Sequence, residues 1–513
     1  MDNQHYKNPI ISGYNPDPSI CRVGEDYYIV NSSFEYFPGV PIYHSKNLVN
    51  WKMIGHCLTT ENQLSLKKCR PSGGIYAPTL RWHNGTFFMT TTNVSGEGNF
   101  IVYSKEPEKG WSDPVWIDQE GIDPSILFDD DGKVYFTSTG LDKTGKACIL
   151  TSEINPFTGE KLTESRIISY GCGGRYPEGP HLYKIKGKYY LMLAEGGTEY
   201  GHMETMQRSD NPYGPYEPCP HNPILSHKED MRERIYCTGH ADIMEDANGN
   251  WWLVCLAIRP CGGKDNRVLL HNLGRETYLA PVVWDDEGWP VVGENGLIDI
   301  DMEGPLPAET YPVNRDFADD FSEEVFPAQY NFLRNPVTDN YRRSIKTNTM
   351  VLRGSDITIN EQDTPTWAGI RQKGFDTVST VHLRPMETVQ GMRLGLTAYY
   401  NKDYHYEIYL TKELDIWKIC LAKHIHDIFV VTAQTEIDLQ QGDSIWLRIV
   451  TDKEYYTFMY SKDGENYEKL GTGLTVGLCT ESTRTMTFTG TYLALFAERA
   501  DMEVDKFEVK VLD

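Results

Sequence analysis

One short template recurs five times in the first half of the chain and limits the fold more than any other feature. It runs from a polar or small residue to an aliphatic one, then through a glycine-bearing turn into an aromatic-rich stretch. The copies are DPSICRVGEDYYIV from Asp17, APTLRWHNGTFFM from Ala77, DPSILFDDDGKVYF from Asp123, EGPHLYKIKGKYYLM from Glu178 and HADIMEDANGNWWLV from His240. Gly24, Gly85, Gly132, Gly187 and Gly249 mark the turns, with alternating or β-branched residues on either side, so each copy reads as a β-hairpin. Behind four of them come further pieces that echo one another: IYHSKNLVNWKMIG, IVYSKEPEKGWSDPVWI, ILTSEINPFTG and MQRSDNPYGPYEP. A hairpin with two outer strands is a unit of about 50 to 60 residues, the scale of a propeller blade. The all-β fold expected for residues 1–312 is therefore a five-bladed β-propeller.

The acidic, proline-containing stretch GLIDIDMEGPLPAETYPVNRDF ends the repeat. From residue 316 to 513 the chain becomes a string of strand-like runs such as RLGLTAYY, HYEIYLT, IWKICLAK, SIWLRIVT and KFEVKVLD, broken by turn signals such as SKDGEN. Antiparallel strands without helical periodicity predict a second domain that is a jelly-roll-like β-sandwich packing on the propeller.

In a propeller the first strand of each blade is innermost, so residues at one repeat position converge on the central channel. That position holds Asp17, Asp123, Glu178 and His240, and falls at Tyr76–Ala77 in the second blade. Asp-Pro-Ser is also ordinary turn chemistry. Three carboxylates around one pocket repel one another, however, and stability alone would not select them. Crowding pushes their pKa values apart, leaving one carboxyl protonated near neutral pH and another ionised. Glycoside hydrolysis needs this: an acid for the leaving oxygen and a second carboxylate to activate water or attack the sugar. Carboxyls on opposite sides of a channel leave room for a water, which points to inversion.

The net charge of −24 excludes nucleic acid, an anionic substrate and an acidic membrane surface as partners, and favours a neutral small molecule or polymer. No apolar run of about 18 residues is present to span a bilayer. The start MDNQHYKNPI lacks the basic and apolar segments of a signal peptide, so the expected location is the cytoplasm. The eleven cysteines follow no C-x-x-C or zinc pattern, and neither disulfide nor zinc is expected.

The stretch NPIISGYNPDPSICRVGEDYYIVNSSFEYFPGVPIYHSKNLVNW, with GIDPSILF, RYPEGPHLYK, TGHADI and LGRETYLAPVVW in order behind it, resembles glycoside hydrolase family 43. The likeness is to its two-domain β-xylosidase and α-L-arabinofuranosidase members, and it covers essentially the whole chain. It implies that Asp17 is the general base, Glu178 the general acid, and Asp123 the third acid that orients Glu178 and holds up its pKa. It implies that Arg275 binds sugar hydroxyls, that Phe34 lines the pocket wall, and that Phe488 from the second domain closes the pocket. No cofactor is required; His240 corresponds to a channel histidine that in many members borders Ca²⁺, another cation or a water cluster.

Some positions depart from the family pattern. Tyr76, in GGIYAP, replaces a tryptophan of the pocket wall; Glu199 and Glu204 flank His202; Trp367 stands in TPTWAG. The activity expected is inverting, exo-acting release of D-xylose from the non-reducing end of β-1,4-xylo-oligosaccharides. Kept beside it are α-L-arabinofuranosidase activity, alone or in addition, and a non-catalytic sugar-binding propeller. Homo-oligomers occur among the relatives.

Overall fold

A computed structural model describes residues 3–230, 234–262, 270–440 and 442–513. Its propeller has five sheets, each led by one predicted hairpin. The inner strands are Ser19–Val23, Thr79–His83, Ile122–Phe128, Glu178–Ile185 and Tyr236–Glu245. Each pairs antiparallel with the strand after its turn, as Ile122–Phe128 does with Val134–Leu141. Four blades have four strands, and the fourth adds Leu225–Ser226 beside its third. Gln4–Lys7 pairs with Asp301–Gly304, so the start of the propeller is strapped to its end and the ring cannot open by fraying.

Between adjacent sheets the aromatic and aliphatic residues of the template form the core. Tyr28 meets Phe87 edge to face, and Phe88 packs on Phe128, so the paired aromatics join one blade to the next. The sequence thus uses one residue pattern twice, for strand formation and for the contact between sheets.

The second domain is two stacked antiparallel sheets of eight and six strands. Their inner faces bury Leu394, Leu396, Ile408, Leu447, Phe458, Leu495 and Phe507 among others in one core. Among the described residues the only helical pieces are three short 3₁₀ turns.

Two features fix the sandwich on the propeller mouth. Phe332–Leu333 pairs with Tyr36–Phe37 of the first blade, so a strand crosses the boundary. Behind it Tyr14, Phe34, Tyr36, Leu333, Trp367, Tyr399 and Tyr492 form a shared buried cluster. The fully buried Trp367 packs against Tyr36, Tyr399 and Tyr492, making the TPTWAG departure part of the seam rather than of the pocket.

Candidate active site

The inner strands carry their functional residues on irregular backbone. In the third, fourth and fifth blades each has a bulge near its start, between Ile122 and Ser125, Glu178 and His181, and Gly239 and Asp242. By register, Asp123, Gly179 and His240 are equivalent, and all have left-handed backbone, with φ of 53°, 56° and 49°. Asp17, just ahead of the first blade's strand, has φ of 52°. Non-glycine residues in this region are uncommon and cost about 1–3 kcal/mol each, so three at one repeat position mark a place where geometry is bought with stability.

This corrects the expected alignment of the four anchors. Glu178 does not share the position of Asp17, Asp123 and His240; it stands one residue earlier, opposite Ala194, and Gly179 takes that place. The third and fourth blades carry the same bulge, so Glu178 opposite Ala194 matches Ile122 opposite Thr139, one residue ahead of the Asp123 position. Gly179 suits the position for two reasons: its φ, and the His240 ring, whose Nε2 would lie 3.0 Å from any added Cβ.

The three acids have unlike surroundings. Asp17 accepts hydrogen bonds from the Ser32 hydroxyl at 2.5 Å and the Arg275 guanidinium at 3.1 Å, and His240 Nδ1 lies 3.7 Å away. Burial would raise its pKa, but the charges of Arg275 and His240 and the Ser32 hydrogen bond outweigh it and hold the carboxyl below its usual range. Burial also lowers the pKa of His240.

Asp123 and Glu178 shift the other way. Burial, then the charges of Glu178 and Asp17, lift Asp123 well above the ordinary carboxylate value. Glu178 is raised to about 7, by burial first and Asp17 second, with Arg275 opposing. The Gly179 N–H points to Asp123 Oδ2 at 3.4 Å, linking the backbone beside one acid to the other. Together the pair retains a proton near neutral pH while Asp17 does not.

Arg275, Phe34, Tyr76 and Phe488 lie together in the structure. Arg275 donates to Asp17, to the Thr198 hydroxyl at 3.0 Å and to the Phe488 carbonyl at 3.1 Å. Its guanidinium lies 5.9 Å from the centre of the Phe34 ring and 5.4 Å from that of Phe488, and these rings stack 5.7 Å apart. Tyr76 meets both edge-on. Its extra hydroxyl donates to the Ser72 carbonyl at 3.3 Å and accepts from Arg70 at 3.2 Å. The Ser72 hydroxyl in turn accepts from the Phe488 N–H at 2.9 Å, so the sandwich residue is held from both sides.

Ser32, Thr198 and His202 belong to the site and were not singled out for it from sequence. His202 hydrogen-bonds the Cys237 carbonyl at 2.9 Å, and burial holds its pKa near 3, so it is neutral. A serine or threonine in a polar loop gives no signal before the fold brings it to an acid; the acidic TEYGHMETM stretch was the only hint. There Glu204 is buried and accepts from the Ala241 N–H at 3.1 Å, bracing the strand that bears His240.

Deeper in the channel, Asp242 accepts two hydrogen bonds from Arg81, at 2.7 and 3.0 Å, one from Ser19 at 2.6 Å and one from Tyr183 at 2.7 Å. Arg81 also reaches His181 Nδ1 at 3.1 Å. Among the described residues no cluster of three or more His, Cys, Asp or Glu side chains could hold a metal ion.

Residues 6–290 match the model of glycosyl hydrolases family 43, and residues 318–509 that of the β-xylosidase C-terminal concanavalin A-like domain. The chain is 40% identical to a non-reducing end α-L-arabinofuranosidase of Bacteroides ovatus, over 96% of this chain and 91% of the relative. It is 39% identical to a xylosidase/arabinosidase of Butyrivibrio fibrisolvens, over 80% of each. The solved structure of a xylan β-1,4-xylosidase from Bacillus halodurans superposes with a TM-score of 0.92 at 29% identity, covering 98% of this chain and 99% of that one.

Proposed function

The chain belongs to glycosyl hydrolases family 43 and is a glycoside hydrolase, and from that premise we propose that it is an exo-acting, inverting enzyme removing a terminal pentose from the non-reducing end of hemicellulose oligosaccharides. One observation carries the mechanism: Asp17 is held low while the Asp123–Glu178 pair is held high in one buried site. Asp17 takes a proton from water as its oxygen bonds to the anomeric carbon. Glu178 gives its proton to the glycosidic oxygen as that bond breaks. Burial and the Asp17 charge hold the proton on Glu178, and Asp123, joined through the Gly179 N–H to the backbone beside Glu178, orients it.

Inversion is supported by placement, since Asp17 comes from the first blade and Glu178 from the fourth, two blades away round a ring of five. Exo action is supported by the lid that Phe488 forms over Phe34 and Arg275. We place α-L-arabinofuranosyl ends first and β-1,4-xylosyl ends second, reversing the order expected from sequence. The support is that the 40% identical Bacteroides ovatus relative is named for arabinofuranosidase activity alone, whereas the Butyrivibrio fibrisolvens relative is named for both.

Hydrolysis of an arabinofuranosyl-xylo-oligosaccharide beside xylobiose tests the order of sugars; faster release of xylose overturns it. Proton NMR of the first sugar released tests inversion. The expected product from an α-L-arabinofuranoside is the β anomer, and initial release of the α anomer would refute the role given to Asp17.

A further inference from the structure

Two of the eleven free cysteines face each other across the domain boundary. The sulfurs of Cys261 and Cys479 are 3.6 Å apart, although the residues are 218 positions apart in the chain. Cys261 follows the second strand of the fifth blade, Trp251–Ile258, and Cys479 lies between the 3₁₀ turns Thr475–Leu478 and Thr480–Ser482 of the sandwich. With Leu270, Leu273 and Phe375 they form a small apolar cluster. Both sides of the pair are anchored. The Cys261 N–H donates to the Leu270 carbonyl at 2.8 Å and the Cys479 N–H to the Val476 carbonyl at 3.2 Å. Beside them the His271–Glu481 contact at 2.7 Å and the Thr480 N–H to His271 carbonyl bond at 3.1 Å hold the same seam.

We propose that Cys261 and Cys479 are a modification site, where hydrogen peroxide converts the two thiols to a disulfide joining the propeller to the sandwich. The sulfurs need to close from 3.6 Å to about 2.05 Å, a movement two side chains can share. Either sulfur can donate across the 3.6 Å contact, and Cys261 is the first nucleophile because that contact lowers its pKa while it and burial raise that of Cys479. Its thiolate attacks one peroxide oxygen, the O–O bond breaks, and hydroxide leaves as Cys261 becomes a sulfenic acid. The Cys479 sulfur attacks that sulfur, the S–O bond breaks, and the second oxygen leaves as hydroxide. The two thiol protons convert both hydroxides to water, so two thiols and one peroxide give one disulfide and two waters. Cys261 is 3% exposed and Cys479 fully buried, so the oxidant must be small.

The bond would fix the segment that leads to Phe488, the residue whose carbonyl accepts from Arg275. It would thereby tie the pocket's lid to its floor independently of any bound sugar.

The test is peroxide treatment of the reduced full-length protein, alkylation of remaining thiols and peptide mapping. The expected result is a loss of two hydrogens from the intact mass, one linked peptide pair containing Cys261 and Cys479, and a higher thermal unfolding midpoint that dithiothreitol reverses. In Cys261→Ser and Cys479→Ser the linked pair and the reversible rise are both lost. Mapping on the unsubstituted protein stands alone should either variant fold poorly. Both cysteines recovered alkylated, or Cys261 recovered as sulfinic acid beside an alkylated Cys479, would overturn the proposal.

Discussion

The propeller channel holds two buried polar clusters a few residues apart, and they are built on opposite terms. At the mouth, Asp17, Asp123 and Glu178 share one guanidinium, that of Arg275. Lower down, Asp242 alone receives Arg81 in a fork and two hydroxyls besides. The consequences are opposite in sign: Asp242 is held far below the usual carboxylate range despite its burial, whereas Asp123 is driven well above it. Burial is common to both, so what separates a reactive carboxyl from a structural one is the number of donors provided per negative charge. The lower cluster locks the inner strands of four blades; the upper keeps a proton that the bulk solution would remove.

The largest effect should come from removing the mouth acids. Glu178→Gln and Asp17→Asn are each expected to lower kcat/KM on natural oligosaccharide about 10²–10⁴-fold. The two should part on an aryl glycoside: its good leaving group needs little protonation, so Glu178→Gln recovers much of its rate while Asp17→Asn does not. Equal losses on both substrates would assign the two acids the same role and remove the asymmetry proposed between them.

How far sequence reaches differs between the clusters. The mouth acids were legible because a hairpin template repeated five times supplies its own alignment, and Asp-Pro-Ser occurs twice within it. The same alignment misplaced Glu178 by one residue, since it matched one acid to another, whereas the pairing matches Glu178 to Ile122 and Gly179 to Asp123. The Arg81–Asp242 fork was not legible at all. Each residue alone is an unremarked polar position in a hairpin, and only closure of the ring brings blades two and five together. The placing of Phe488 over Arg275 came from family resemblance, because nothing in its local sequence says that a sandwich residue reaches a propeller pocket.

The second test compares stability. Asp242→Asn leaves Arg81 buried without its charge partner and is expected to cost about 3–5 kcal/mol, read as a lower midpoint of thermal or urea unfolding. Asp123→Asn replaces a carboxyl already held protonated with a neutral amide of the same shape, and should leave the midpoint unchanged or raise it. Equal destabilisation by both would mean that Asp123 is a structural acid like Asp242.

A smaller effect follows from linkage. Glu178 is raised from 4.5 to about 7 in the folded protein. Between these values the folded state binds a proton that the unfolded state has released, so this group makes stability fall as pH rises through that window. The lowered Asp17 acts in the other direction, its contribution being lost as pH falls below the usual carboxylate range. In Glu178→Gln the decline between about pH 4.5 and 7 should flatten while the acid-side loss remains. An unchanged slope in the variant would remove Glu178 as the proton holder.

The smallest expected effect is that of a chelator, and it bears on why the lower cluster exists. A cation in a channel of this kind would neutralise inward-facing acids and tie blades together. Arg81 already does both, with its guanidinium shared among Asp242, His181 and Ser19 from the fifth, fourth and first blades. His240 meanwhile faces Asp17 and packs on Gly179. EDTA should therefore leave both kcat/KM and the unfolding midpoint unchanged, and added Ca²⁺ should shift neither. Activity lost to EDTA and restored by Ca²⁺ would place a cation beside His240 after all, and the contrast between an under-neutralised mouth and a self-neutralised floor would no longer hold.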